Sequence, residues 1–233
     1  HKVAIHTFHS FCNMVIQQYP EKFGQLNMQV VSDLDRIDLI RKVLDKVPAD
    51  SLLISKIGGR YAKERYVRSL FQTMKFENWD YAKIEKAVAD YLTDLPNRDG
   101  FYYKRANAKR GINAGDPHPG KIENERKKMA ATLEAAQYFE VYERYLQKAG
   151  WYEYGDMINW VLKAFQEDES ILAEYRERYL YFLVDEFQDT NGSQSEILQL
   201  LADFWEAPNL FIVGDDDQAI YEFQGAKLEN LKN

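Results

Sequence analysis

The amino-acid sequence predicts an α/β fold interrupted by a large all-helical insertion, mostly α overall. Three observations carry this. Two short apolar runs, Leu180 to Val184 and Leu210 to Val213, each end abruptly in acids: Asp185-Glu186 after the first, Gly214-Asp215-Asp216-Asp217 after the second. Between them Ile197, Leu198, Leu201, Phe204 and Trp205 recur at helical spacing behind a Ser193–Glu196 capping box, so the segment reads as strand, acidic turn, helix, strand, acidic turn. The third observation is the middle of the chain, where apolar residues recur every three or four positions from Ser32 to Leu92 with no strand-like alternation.

In chain order, Val3 to Ile5 reads as a short strand end. Thr7 or Ser10 then opens a helix with Phe8, Phe11, Val15, Ile16 and Tyr19 on one face. Ser32 or Asp33 caps a helix with Leu34, Ile37, Ile40, Leu44 and Val47 along one side, closed by Pro48. A basic helical stretch follows from Arg60 to Lys75, carrying Arg60, Lys63, Arg65, Arg68 and Lys75 against the single acid Glu64. Tyr81, Ile84, Val88 and Tyr91 mark another helix. Pro96 to Lys121, with its glycines and prolines, reads as a long loop or two short elements. Lys121 to Ala149 reads as one long helix whose apolar stripe drifts, ended by Gly150. Asp156 to Gln166 is a helix packing Met157, Trp160, Val161 and Phe165, and it returns the chain to the sheet.

Composition narrows the function classes. The 233 residues are 45% hydrophobic and 14% aromatic, enough to bury a core. A formal charge of −7 argues against a protein that coats nucleic acid by bulk charge, so any such contact comes from local patches. One such patch is residues 96–121, with a local net charge of +4 and Phe101, Tyr102 and Tyr103 among the cations. It suits nucleic acid, and equally a solvated loop whose rings dock on the helices. The single cysteine, Cys12, permits no internal disulfide and fits a cytoplasmic protein. No apolar run is long enough to span a membrane. The chain begins with His1 and reads as a piece of a longer protein.

The chemistry concentrates at the two acidic turns. Five apolar residues before Asp185 predict a strand buried on both faces, as in the middle of a parallel sheet. Ligands of open α/β sheets gather at the carboxyl ends of strands, so two acids there are well sited to hold a metal and a water. Taken alone, the pair can equally be solvating a strand end. Gly115 to Ile122 fits most of a phosphate-binding P-loop, but Ile122 replaces the hydroxyl needed for Mg²⁺, and Pro117 and Pro119 offer no N–H to a phosphate. It is rejected.

The two acidic turns together are specific. Val184-Asp185-Glu186-Phe187-Gln188-Asp189-Thr190, followed by Val213-Gly214-Asp215-Asp216-Asp217-Gln218-Ala219-Ile220-Tyr221, resembles motifs II and III of the UvrD/Rep-type superfamily 1 DNA helicases. Thr7-Phe8-His9-Ser10 is similar to the segment at which these helicases leave the first motor domain for its helical insertion. Tyr154 to Ile158 and Tyr175 to Arg178 look like the family's approach to motif II. The resemblance weakens between Val47 and Gly120.

The resemblance implies a partial P-loop NTPase (RecA-like) parallel sheet, with residues 1–22 and 151–233 in the ATPase motor and 23–150 as the helical insertion. It implies ATP and Mg²⁺ as cofactors, with Asp185 on the metal and Glu186 orienting the attacking water. Gln218 matches the family's γ-phosphate-sensing glutamine; Gln188 either joins the same polar network or shapes the turn. Thr7, Phe8 and His9, with Tyr221 and Phe223, are implied contacts to single-stranded DNA or single/double-strand junctions. For Phe8 a core role and for Thr7 a cap are the competing readings. Phe223-Gln224-Gly225 departs from the family's frequent Trp-Arg-Gly, which casts doubt on a charged link from motif III to the nucleotide. The P-loop and the second motor domain are expected elsewhere in the parent, which would be a single-strand translocase, 3′ to 5′, in DNA repair or replication restart. The isolated 233 residues are expected to be inactive. A helicase–nuclease subunit and a non-catalytic DNA-binding module are the alternatives.

Overall fold

The computed structural model describes residues 3–24, 28–106, 111–204 and 209–215. In chain order the elements are α1 (Phe8–Gln18), α2 (Pro20–Phe23), β1 (Gln29–Val30), α3 (Asp33–Leu44), α4 (Glu64–Phe76), α5 (Tyr81–Asp94), α6 (Pro119–Ala136) and α7 (Phe139–Ala149). They continue as β2 (Trp151–Tyr152), α8 (Tyr154–Glu167), α9 (Glu169–Arg178), β3 (Phe182–Val184), α10 (Gly192–Ala202) and β4 (Leu210–Ile212). The fold is mostly helical with two small parallel sheets, β1 with β2 and β3 with β4. Contacts divide the chain into two compact units, His1–Ser32 with Gln72–Asn78 and Leu146–Asn233, and Asp33–Phe71 with Trp79–Tyr145.

The first unit is built on a helical core. Cys12, Val15 and Ile16 of α1 meet Met157, Ile158, Val161, Leu162 and Phe165 of α8, with Ile171, Leu172 and Tyr175 of α9 and Ile197 and Leu201 of α10. The 3.6-residue repeat of each helix puts these side chains on one stripe. Phe11 joins them, with its ring edge-on to Phe165 and Tyr175 and to the neighbouring Tyr179 at 5.6–6.5 Å. Cys12 is fully enclosed, and burial pushes its thiol up to about 12.

Several sequence expectations are corrected here. Val3 to Ile5 forms no strand and lies exposed. The cap of α10 is Asn191, whose side chain accepts from the Gln194 N–H at 3.0 Å while Gln194 Oε1 accepts from the Asn191 N–H at 3.1 Å. Asn191 is the last residue with extended backbone; Ser193 is already helical and turns its hydroxyl inward, so the Ser193–Glu196 box does not form. Phe204 is 57% exposed and lies under the Arg176 guanidinium instead of in the core, and Trp205 lies outside the described residues. The strand at Leu180 to Val184 is shorter than expected and buried on one face only: Phe182 packs against the helical core while Leu183 is 77% exposed. Phe211, beside Leu183 on β4, is likewise 63% exposed, so no described element covers that face of the pair. The β1–β2 pairing was not legible, because two residues are too few for an alternation to register.

The regular elements of the second unit are helices among its described residues, joined by turns over 45–63 and by irregular chain between 98 and 118, with isolated bridges at Ser55–Gly59 and Tyr102–Pro117. In α3 the buried face is Leu39, Ile40, Val43 and Leu44, and Leu34 is 77% exposed; the helix ends at Leu44, before Pro48. The expected helix from Lys121 to Ala149 is two. Tyr138 N–H bonds back three residues to Ala135 O at 2.9 Å, breaking the four-residue ladder. The restart at Phe139 lets Phe139 and Tyr142 pack on the Phe71 ring at 5.5 and 5.4 Å. The drift of the apolar stripe was the sequence trace of that break.

The rejected P-loop look-alike runs straight into α6, whose cap is His118 stacked on Tyr103, and Lys121 Nζ donates to Gly100 O. Other cations of that loop are held locally: Lys104 on Asp99, and Arg98 on Asp94 and over the Tyr91 ring. Lys109 and Arg110 lie outside the described residues.

Candidate functional site

The site is built where β3 and β4 end. The strands pair in parallel with Val184 opposite Ile212, so both acidic turns emerge at one edge, as the sequence pattern required. Val213 N–H donates to Val184 O at 2.8 Å and Phe187 N–H donates to Val213 O at 3.0 Å, stitching the first turn to the second. Asp185 is exposed, with Oδ1 accepting from the Glu186 N–H at 3.0 Å. Glu186 is exposed and left-handed, at φ 52° and ψ 43°. A residue with a Cβ adopts that conformation only where its surroundings hold it there, and such residues concentrate at functional turns.

What holds it is Gln188. This side chain, 2% exposed, donates from Nε2 to Glu186 Oε2 at 2.5 Å and accepts at Oε1 from the Asp215 N–H at 3.0 Å. One amide therefore ties the carboxylate of the first turn to the backbone of the second. Below it Phe187, Thr190 and Asn191 are buried and lead directly into α10. Asp216, Asp217, Gln218, Tyr221, Phe223 and Gln224 lie outside the described residues.

A second group sits at the start of α1. Thr7 is its cap, in a reciprocal box with Ser10: Ser10 N–H to Thr7 Oγ1 at 3.1 Å, Thr7 N–H to Ser10 Oγ at 2.8 Å. Phe8 is partly buried against the helical core. His9 lies edge-on to Tyr154 at 5.9 Å, with Nε2 enclosed and without a hydrogen-bond partner among the described residues; burial lowers its pKa. Tyr154 itself is 59% exposed, an aromatic surface beside His9 that periodicity did not single out. This group and the acidic turns share support, since Phe8 and Phe182 pack on the same core. No hydrogen bond or ring contact joins them directly among the described residues.

The sequence profile of the UvrD/REP helicase N-terminal domain matches residues 1–233. The chain belongs to this family. Among curated relatives, DNA helicase II of Haemophilus influenzae is 29% identical over 169 residues, 72% of this chain and 20% of that protein. The ATP-dependent DNA helicase PcrA of Leuconostoc citreum is 37% identical over 98 residues, 42% of the chain and 13% of the relative. A probable DNA helicase of Mycoplasma pneumoniae is 29% identical over 225 residues, 97% of the chain and 34% of the relative. The chain thus spans at most about a third of the length of these relatives.

For a UvrD/REP helicase N-terminal domain, the donor chemistry of the turn is informative. Asp185 and Glu186 are hard oxygen donors at a strand end, and no cation pairs with either among the described residues. No cluster of three metal-ligating side chains forms among the described residues. A single carboxylate fits Mg²⁺, which keeps several waters and substrate oxygens in its shell. No described helix is long and apolar enough to cross a membrane.

Proposed function

We propose that this chain is part of the first motor domain, with its helical insertion, of an ATP-dependent DNA helicase that moves 3′ to 5′ on single-stranded DNA in DNA repair or replication restart. Residues 1–22 and 151–233 are the motor part, a portion of a RecA-like parallel sheet, and residues 23–150 are the insertion. The uncovered apolar face at Leu183 and Phe211 supports a covering layer supplied by other segments of the parent, as the faces of parallel sheets are covered by helices. The observation that carries the reading is the Gln188 bridge, which makes one site of two acid-tipped strand ends.

Asp185 is the residue that would hold Mg²⁺, which when bound neutralises charge on the triphosphate. Glu186, fixed by Gln188, orients the attacking water, and Gln218 senses the γ-phosphate. Thr7, Phe8 and His9, with Tyr154 beside His9, contact the single strand, and Tyr221 and Phe223 stack on its bases. The 233 residues hold no complete Gly-x-x-x-x-Gly-Lys-Ser/Thr sequence, so by themselves they bind nucleotide weakly and turn over little.

The test is phosphate release by the full-length protein with and without single-stranded DNA, together with strand displacement from duplexes tailed at either end. DNA-stimulated turnover with displacement from the 3′-tailed duplex is expected. A full-length protein that hydrolyses no ATP in the presence of DNA overturns the reading.

A further inference from the structure

The basic stretch read from the sequence up to Lys75 does not end on the surface. Lys75 is 3% exposed, and its Nζ lies 2.6 Å from Glu153 Oε2 and 2.8 Å from Asp156 Oδ1, both nearly buried. Its carbonyl accepts from Asn159 Nδ2 at 2.8 Å, and the Ser193 hydroxyl lies 2.7 Å from Asn159 Oδ1 and 3.2 Å from the same carbonyl. The next residues dock as closely. A Cβ at Gly155 would lie 3.2 Å from the Phe76 ring, and one at Gly192 would lie 2.8 Å from Glu77 Oε2 and 3.2 Å from the Glu77 backbone. Asn78 Nδ2 donates to Glu196 Oε2 at 3.1 Å.

Residues 75–78 therefore grip the first turns of two helices at once, α8 at Glu153 to Asn159 and α10 at Gly192 to Glu196. Two glycines make room for the close approach. Burying an ammonium between two carboxylates adds little net stability, and its best-attested use is to fix register. The register it fixes here bears on the site, because α10 begins three residues after Asp189 and its cap, Asn191, follows the acidic turn directly. Gln188 and Thr190 are buried just before that cap, so a shift of the first turn of α10 is passed to Glu186.

We propose that Lys75 is a positioning residue for the Asp185–Glu186 turn, acting through a buried clasp of residues 75–78 on the first turns of α8 and α10. The inference rests on the ATP-hydrolysis reading above and adds to it a set of residues distant in sequence from both motifs. The clasp sets how well Glu186 is aimed and leaves nucleotide binding nearly untouched.

The test compares the full-length protein with its Lys75→Met and Gly192→Ala variants, measuring kcat and KM for ATP at saturating single-stranded DNA, with thermal melting as the check on folding. Lys75→Met removes the clasp's cation. Gly192→Ala keeps every charge and presses a methyl against Glu77, so it decides the matter where Lys75→Met does not fold. Each folded variant is expected to lose about tenfold to a hundredfold in kcat with KM changed by less than about threefold, as displacing a catalytic group by an ångström does. A folded variant that melts earlier but keeps wild-type kcat overturns the proposal, and so does a change confined to KM. Absence of DNA-stimulated turnover in the wild-type protein overturns the hydrolysis reading itself, and is seen without any variant.

Discussion

Two pairs of carboxylates in the same unit have opposite fates. Asp185 and Glu186 stand exposed at a strand end, held by an amide hydrogen bond and the turn's own N–H, with no cation beside them among the described residues. Glu153 and Asp156 are buried and share Lys75. Charge left facing solvent is available to a ligand; charge enclosed with a counter-ion is spent on architecture. Burial is the larger influence on Asp156, raising its pKa although Lys75 pulls the other way.

That contrast can be broken from either side. The largest effect expected is on turnover: on the hydrolysis reading proposed above, Glu186→Gln in the full-length protein is expected to lower kcat about 10²–10⁴-fold, as loss of a general base would, and to leave the melting temperature unchanged because the side chain is exposed and glutamine keeps an acceptor for Gln188. A variant that melts earlier would make Glu186 structural. Next, Lys75→Met leaves two enclosed carboxylates without their cation and is expected to destabilise the fold by about 3–5 kcal/mol in urea titrations. A loss within experimental error would mean that water reaches the triad.

The smallest effect sharpens the comparison with a third acid. Asp168 is held down to about 2 by hydrogen bonds from Lys22 and Ser170, and it caps α9. Its pKa is below the ordinary 3.8, so the stability it adds is complete above that value and is lost as pH falls toward about 2. Asp156 has the opposite sign: its raised pKa means that its charge costs stability at higher pH, and acid relieves that cost. Asp168→Asn should flatten the dependence of the urea midpoint on pH between about 4 and about 2, and an unchanged slope would show the Lys22 pair to be too solvated to matter.

Elements with a strong period were legible. The faces of α1, α5 and α8 follow from spacing alone, and the acid-tipped strands with the helix between them form a parallel pair with both turns at one edge. Competition between neighbours misled the reading where two residue types could do the same job. Ser193 and Asn191 can both cap α10, and Asn191 does because it holds the extended backbone that a cap needs. Gln137 and Tyr138 suit a continuous helix, and the break there goes with the packing of Phe139 and Tyr142 on Phe71.

The sequence by itself determined the strongly periodic helices, the family-specific pair of acidic turns and the acids that tip them, because these depend on residues adjacent along the chain. Tertiary structure decided that Gln188 ties one turn to the other, that Leu183 faces outward and that Lys75 is a buried cation rather than a surface one. Each of these depends on which distant segment arrives alongside, and the free energy of a charge or an amide is set by that neighbour and by the water it displaces.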